Sequence, residues 1–276
     1  MADRHVMEVL GMATVVVSDG KIVEMRPPVL RYCPMFNKMR NIETIDEDAV
    51  RQNIEFRIRD FGLFTEDRVV RAPDIVTFGV SEILNKAIRD GKIDAAVIVA
   101  DGCGSAVVTD PEVLQGLCGR ISGIIETSPL NVVLDAVGRD NVVDPRTTPI
   151  DQAAGAALAF SKGFRKFAVT VSRPLDALAI RKAFGDSAVI VGVHTSTLNR
   201  KQAEMLFDNC DFTTACASGP IREIMMSRKD VLIAGNKVQI VAITDFGKDL
   251  VGSKLESLGK TFWNGTPERD DPRPLL

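Results

Sequence analysis

The chain has 276 residues, 45% of them apolar and 26% charged, which suits one large α/β domain or two small ones with a substantial buried core. Its net charge is −3, with 34 basic and 37 acidic residues well mixed, so it carries no electrostatic footprint for nucleic acid. Aromatics make up only 5%, with one Trp and one Tyr, which argues against a base-stacking platform.

The opening Met1-Ala2-Asp3-Arg4-His5 has no charged segment followed by an apolar run, so a signal peptide is not expected. The longest apolar stretches, such as Ala95 to Ala100, are strand-length, and no membrane partner is expected. The cysteines, Cys33, Cys103, Cys118, Cys210 and Cys216, are odd in number and widely spaced. They form no disulfide framework and fit a reducing cytoplasm.

Near the start, Ala13 to Ser18 and Lys21 to Arg26 flank Asp19-Gly20, a strong signal for a two-residue hairpin. Pro27-Pro28 ends the second strand, because proline cannot donate to a ladder. Thr44 with Glu47 reads as a capping box opening a helix whose stripe is Val50, Ile54, Ile58 and Phe61. From about Ala72 the pattern alternates strands with helices. Asp74 to Phe78 reads as a short strand, followed by a helix from Ser81 to just before Gly91 and a strand over Ile93 to Ala100. Short helices open at Pro111 and Pro129, and Asp151 caps an alanine-rich helix stopped at Gly163. Lys166 to Val171 and Ala188 to Val193 read as strands, with a helix from Pro174 to Gly185 between them. Asn199 caps the next helix, Asp211 to Ala215 is a strand, and Gly219-Pro220 starts another helix. Val238 to Thr244 is the last strand, and Asp245 caps a helix ending at Gly259.

This alternation predicts parallel pairing through right-handed crossovers, with too few units to close a barrel. The expected fold is α/β: an open, mainly parallel, doubly wound (Rossmann-like) sheet with an N-terminal β-hairpin and helix appended. Residues 1–71 form the appended part, 72–262 the core, and 263–276 an exposed tail.

In such a sheet, ligands bind beyond the carboxyl ends of the strands, so the post-strand loops are where chemistry is sought. Gly102 and Gly104 flank Cys103 in a loop whose amides could approach an anion, although the third glycine of a dinucleotide fingerprint is missing. A tight turn explains the same residues. Ser218 and Gly219 precede a helix whose N-terminus could hold an anion, or Ser218 simply caps it. Ser105, Ser172 and Thr195 complete the candidate ligand contacts. Cys103, His194 and Asp101 are the candidate catalytic residues: a thiol activated by turn amides, a base, and a carboxylate that would raise the thiol unless it points aside. The bland alternative is that the cysteines are small buried hydrophobes. With two histidines and no Cys-x-x-Cys pair, no metal site is expected, and no motif names a cofactor.

Several segments resemble the methanogenesis marker protein 8 family: Tyr32-Cys33-Pro34-x-Phe36, Asn53-Ile54-Glu55-Phe56-Arg57-Ile58, and the run from Asp60-Phe61-Gly62 through Asp67-Arg68-Val69-Val70. Phe78-Gly79-x-Ser81-Glu82-Ile83, Ile93 to Val99, Gln115-Gly116-x-x-Gly119-Arg120 and Asp151-Gln152 extend the likeness over most of the chain. The resemblance implies an archaeal cytoplasmic protein in or near methane metabolism, with a role in assembling or maturing methyl-coenzyme M reductase as one form of it. It carries over no catalytic residue. Two readings follow. One is an enzyme that binds a small anionic ligand or coenzyme at the strand ends. The other is a non-catalytic accessory protein that docks on methyl-coenzyme M reductase components through the hairpin and Tyr32 to Phe36.

Overall fold

A computed structural model describes residues 2–74, 76–119, 121–265 and 270–276. The chain opens with β1 (His5–Glu8), β2 (Thr14–Ser18) and β3 (Lys21–Met25), then α1 (Pro34–Arg40) and α2 (Glu47–Phe61). Asp19 and Gly20 take φ of 48° and 67°, the left-handed pair that a tight hairpin between β2 and β3 needs. The N-cap of α2 is Asp46, whose carboxylate accepts from the Ala49 amide, and not Thr44 as the Thr44–Glu47 spacing suggested.

Next come α3 (Val80–Arg89), β4 (Ala95–Ala100), β5 (Gly104–Val108), α4 (Pro111–Cys118), β6 (Gly123–Glu126) and α5 (Asn131–Val137). The remaining elements are α6 (Gln152–Ser161), β7 (Phe167–Val171), α7 (Pro174–Phe184), β8 (Ala188–Gly192), α8 (Arg200–Asn209), β9 (Phe212–Thr214), α9 (Gly219–Ser227), β10 (Leu232–Ala234), β11 (Ile240–Ala242) and α10 (Asp245–Ser257). No strand forms at Asp74 or at 76–78, which lie in bends; Ile75 is outside the described residues. Thr244, not Asp245, caps α10, its hydroxyl accepting from the Gly247 amide.

Two sheets result among the described residues: β3-β2-β1-β6, and β10-β11-β9-β8-β7-β4-β5. In the larger sheet β4, β7, β8 and β9 run parallel, as expected. Its margins are antiparallel: β5 folds back on β4, and β11 pairs with β9 in the reverse sense. The four parallel strands follow one another in order, so their crossover helices share one face. Accordingly α6, α7, α8 and α9 pack in one apolar cluster with Val97, Val169 and Ile190. The other face is covered by α3, α4, α5 and α10, packed on Ile98, Ala168 and Val191. Helices lie on both faces, but the strand-order reversal of a doubly wound sheet is absent from the parallel run.

The smaller sheet has its own core of Met7, Val15, Val17, Ile54 and Phe64. It is completed by β6 from the middle of the chain. The stretch expected as an exposed tail is pinned over its described end: Tyr32 bridges to Arg273, and Arg222 holds Asp271 at 3.1 Å. No described helix is long and apolar enough to cross a membrane.

Candidate functional site

β8 ends at Gly192 and β9 at Thr214, and the second residue past each strand is a non-glycine in the left-handed region: His194 at φ 54° and Cys216 at φ 40°. Such backbone is strained in residues with a Cβ, and it persists only where the surroundings impose it. Here the two loops are laced together. The Thr195 hydroxyl donates to the Thr214 carbonyl at 2.8 Å, and the Ala217 amide donates to Ser196 Oγ at 3.2 Å. The Cys216 thiol lies 3.2 Å from Thr214 Oγ1.

The smaller sheet faces these loops. A Cβ placed on Gly123 of β6 would lie 3.7 Å from Cγ and Nδ1 of His194 and 3.6 Å from Cβ of Glu8 in β1. His194 and Glu8 therefore rest against the same glycine, which leaves them room. The His194 ring is exposed, yet the protein around it lowers its pKa; burial raises that of Glu8. Both shifts favour the neutral forms of the two groups.

On the other side stands Cys33, the half-buried N-cap of α1. Burial raises its pKa most, the amides of Phe36 and Met35 oppose that, and the charge of Cys216 raises it further. That repulsion puts the two thiols within electrostatic reach. The C-terminal segment closes the edge: Gly219 donates its amide to the Leu276 oxygen at 2.6 Å, and Leu276 donates to the Ala217 carbonyl at 2.8 Å. The strand-end loops of the larger sheet thus meet the edge of the smaller one here, and this junction is the candidate cleft.

A family model described as an uncharacterized protein conserved in archaea (DUF2099) matches residues 5–256. The chain belongs to this archaeal family. An uncharacterized protein of Methanocaldococcus jannaschii is 41% identical over 283 residues, spanning 99% of this chain and 100% of the relative. The family match takes in both sheets and every cleft residue named above except Leu276.

The site residues expected from sequence divide into two groups. His194, Thr195, Ser218 and Gly219 lie at the strand ends beside Cys216, with Ser172 exposed at the end of β7. Thr195 and Ser218 are buried and hydrogen-bonded to backbone, and the Gly219 amide is already taken by Leu276. Asp101, Gly102, Cys103, Gly104 and Ser105 are all buried, in and beside the β4–β5 hairpin. They form no open anion loop. Three strand spacings of about 4.8 Å separate β4 from β9, roughly 14 Å.

Cys103 is the clearest correction. Its side chain is wholly buried, with Sγ 3.5 Å from the Gly104 carbonyl and 3.8 Å from that of Ala100. Burial first, then the Asp101 charge, push its thiol far up, the opposite of an activated nucleophile. Asp101 points not at the thiol but at Arg68. Cys118 is pushed up to about 12, and Cys210 is buried. Native-state iodoacetamide labelling should therefore modify Cys33 and Cys216 first, with Cys103 and Cys210 reacting only after unfolding. Mass mapping of labelled peptides checks this, and early modification of Cys103 would refute the assignment.

Glu8 and Gly123 were not singled out from sequence, since they meet His194 only through long-range pairing. A hollow at the opposite sheet edge, between Lys166, Ala188, Asp208 and Phe246, is a weaker candidate. Its central charges, Arg181 and Asp211, already pair at 2.7 Å. Among the described residues no group of three or more His, Cys, Asp or Glu is placed to hold a metal ion.

Proposed function

We propose that this archaeal protein is a cytoplasmic component of methane metabolism that binds a small anionic ligand or coenzyme in the cleft between its two sheets. The larger sheet is read as a Rossmann-like variant that keeps its ligand at the carboxyl strand ends. The observation that carries the reading is the pair of left-handed non-glycine residues, His194 and Cys216, at equivalent places past adjacent parallel strands. Strained backbone at matching places past two adjacent strands, with Cys33 nearby, supports a site there. The metabolic context is supported by the resemblance of Tyr32-Cys33-Pro34 and the Asn53 to Val70 segments to the methanogenesis marker protein 8 family, and by the archaeal family itself.

The test is a thermal-unfolding screen against nucleotides and anionic thiol coenzymes, repeated on His194→Gly and Cys216→Gly. Glycine relieves a left-handed cost of about 1 to 2 kcal/mol but adds about 0.5 to 1 kcal/mol of chain entropy, so the variants should stay within about 1 kcal/mol of wild type. A ligand at a hundredfold excess over its Kd should stabilise the wild type by about 2.7 kcal/mol and the variants far less. A flat screen, with capture of methyl-coenzyme M reductase components by the intact protein, would replace this reading with the accessory one.

A further inference from the structure

Four cationic side chains are buried among the described residues: Arg57, Arg68, Arg222 and Lys254. Three have a carboxylate. Arg68 pairs with Asp101 at 3.0 Å, Arg222 with Asp271 at 3.1 Å, and Lys254 with Asp74. Arg57 has none. It projects from α2, is 7% exposed, and makes one hydrogen bond, from Nη1 to Ser122 Oγ at 3.2 Å. The charged groups acting on it are Arg40 and Arg68, both cations, and with burial they lower its pKa to about 10. At neutral pH it remains charged. A buried guanidinium with no counter-ion is strongly disfavoured, so such a site is expected to receive its anion from outside.

A second observation comes from one turn earlier on the same helix face. Asn53 is 6% exposed, and its amide oxygen is buried with no hydrogen-bond partner. With the amide turned over, the same place would hold an N–H without an acceptor. Cations and aromatic rings lie nearby. The Arg40 guanidinium lies 3.5 Å over the Phe56 ring, and the Phe36 ring is 6.0 Å from that of Arg57.

We propose that Arg57, with Ser122, Asn53 and Arg40, forms a binding site for a phosphate group, either inorganic phosphate or the monoester of a small metabolite. The planar guanidinium fork matches a tetrahedral oxyanion bidentately, and the Ser122 hydroxyl and the Asn53 amide supply further donors. Two cations without an acid balance a doubly charged phosphate better than a single carboxylate. The inference stands on α2 and the segment before β6, and does not rest on the strand-end reading.

Calorimetric titration and thermal unfolding with inorganic phosphate, glycerol 3-phosphate and acetate at matched ionic strength test it on wild type, Arg57→Met and Ser122→Ala. Phosphate should bind the wild type saturably and raise its melting temperature, while acetate at the same ionic strength should not. Arg57→Met should lose the effect entirely. In phosphate-free buffer it should melt at or above wild type, because an unpaired buried charge is gone; a merely structural arginine would give a clear fall. Ser122→Ala keeps the fold and should weaken phosphate binding by about tenfold, the loss of one charge-assisted hydrogen bond. Stronger binding of glycerol 3-phosphate than of phosphate identifies the source as a metabolite, and the reverse identifies the free ion. No saturable phosphate binding to the wild type, or the same binding in Arg57→Met, overturns the proposal; if Arg57→Met fails to fold, the wild-type titration and Ser122→Ala decide it.

Discussion

Asp101→Ala is expected to lower folding stability by about 3 to 5 kcal/mol, because it strands a buried arginine. Asp101 and Arg68 are both wholly buried, and Arg68 Nε reaches the two carboxylate oxygens at 3.1 and 3.0 Å. The same carboxylate accepts the Phe64 amide at 3.0 Å, and Phe64 is itself left-handed at φ 65°. Arg68 in turn donates to the Val69 carbonyl at 2.7 Å and to that of Leu117 at 3.4 Å. One ion pair thus fixes the chain after α2 against the end of β4 and α4. The His5 ring stacks on Phe64 at 4.9 Å and meets Thr127 Oγ1 at 2.8 Å, and that hydroxyl oxygen accepts the Gly102 amide at 2.8 Å. The cluster is where the two sheets are tied. Urea unfolding of Asp101→Ala, Arg68→Met and the Asp101→Leu/Arg68→Met double variant measures it. The double variant should recover much of the loss, since apolar replacement of a whole buried pair is often neutral. A single-variant loss under about 1 kcal/mol would mean that the pair is hydrated and does not clamp the sheets.

What could be read from sequence was what is written locally. Asp19-Gly20 names its own turn, and Asn199 with Gln202 forms the capping box that opens α8. The four parallel strands were legible because each is an apolar run bounded by a cap or a proline. Pairings between distant segments were not legible. Nothing near His5 announces that β1 will pair with β6, whose partner residues lie more than a hundred positions on. β11 was expected to continue the parallel run. Instead Gly235, at φ 82° and followed by Asn236, turns the chain back from β10, so β11 arrives reversed. That glycine-asparagine pair was a hairpin signal, masked because β10 has only three residues. Arg57 also left a trace. With Asn53 it interleaves the apolar stripe of Val50, Ile54 and Ile58, and polar groups on a core face need a partner. The strand-end rule found His194, while Cys33 was reached from sequence only as part of the Tyr32 to Phe36 segment.

Gly104→Ala is the other large effect expected, and it decides what the glycines around Cys103 are for. Gly104 has φ 62°, and an added Cβ would fall 2.2 Å from the Thr148 carbonyl oxygen and 2.5 Å from that of Pro149. Both obstacles are backbone, and neither can move freely. Ser105 donates its amide to the Pro149 carbonyl at 2.9 Å, Asp151 donates its amide to Ser105 Oγ at 2.8 Å, and Thr148 Oγ1 donates to the Thr127 carbonyl at 2.6 Å. Left-handed backbone in alanine costs about 1 to 2 kcal/mol, and forcing atoms into a packed core about 1 to 3 kcal/mol, giving roughly 2 to 5 kcal/mol in all. Gly163→Ala is the control, because φ there is 92° but nothing lies within 4 Å of the new atom. It should lose only the backbone part, about 1 kcal/mol. Gly102→Ala should fall between, since its contacts at 2.7 to 3.0 Å are with Leu130 Cβ, Cγ and Cδ1, of which only the outer atoms can turn aside. The order Gly104, Gly102, Gly163 in urea midpoints follows if these glycines serve close packing of the β4–β5 hairpin. Should Gly104→Ala cost no more than Gly163→Ala, the hairpin has room at its tip, and the reading of 101–105 as a ligand loop regains its footing.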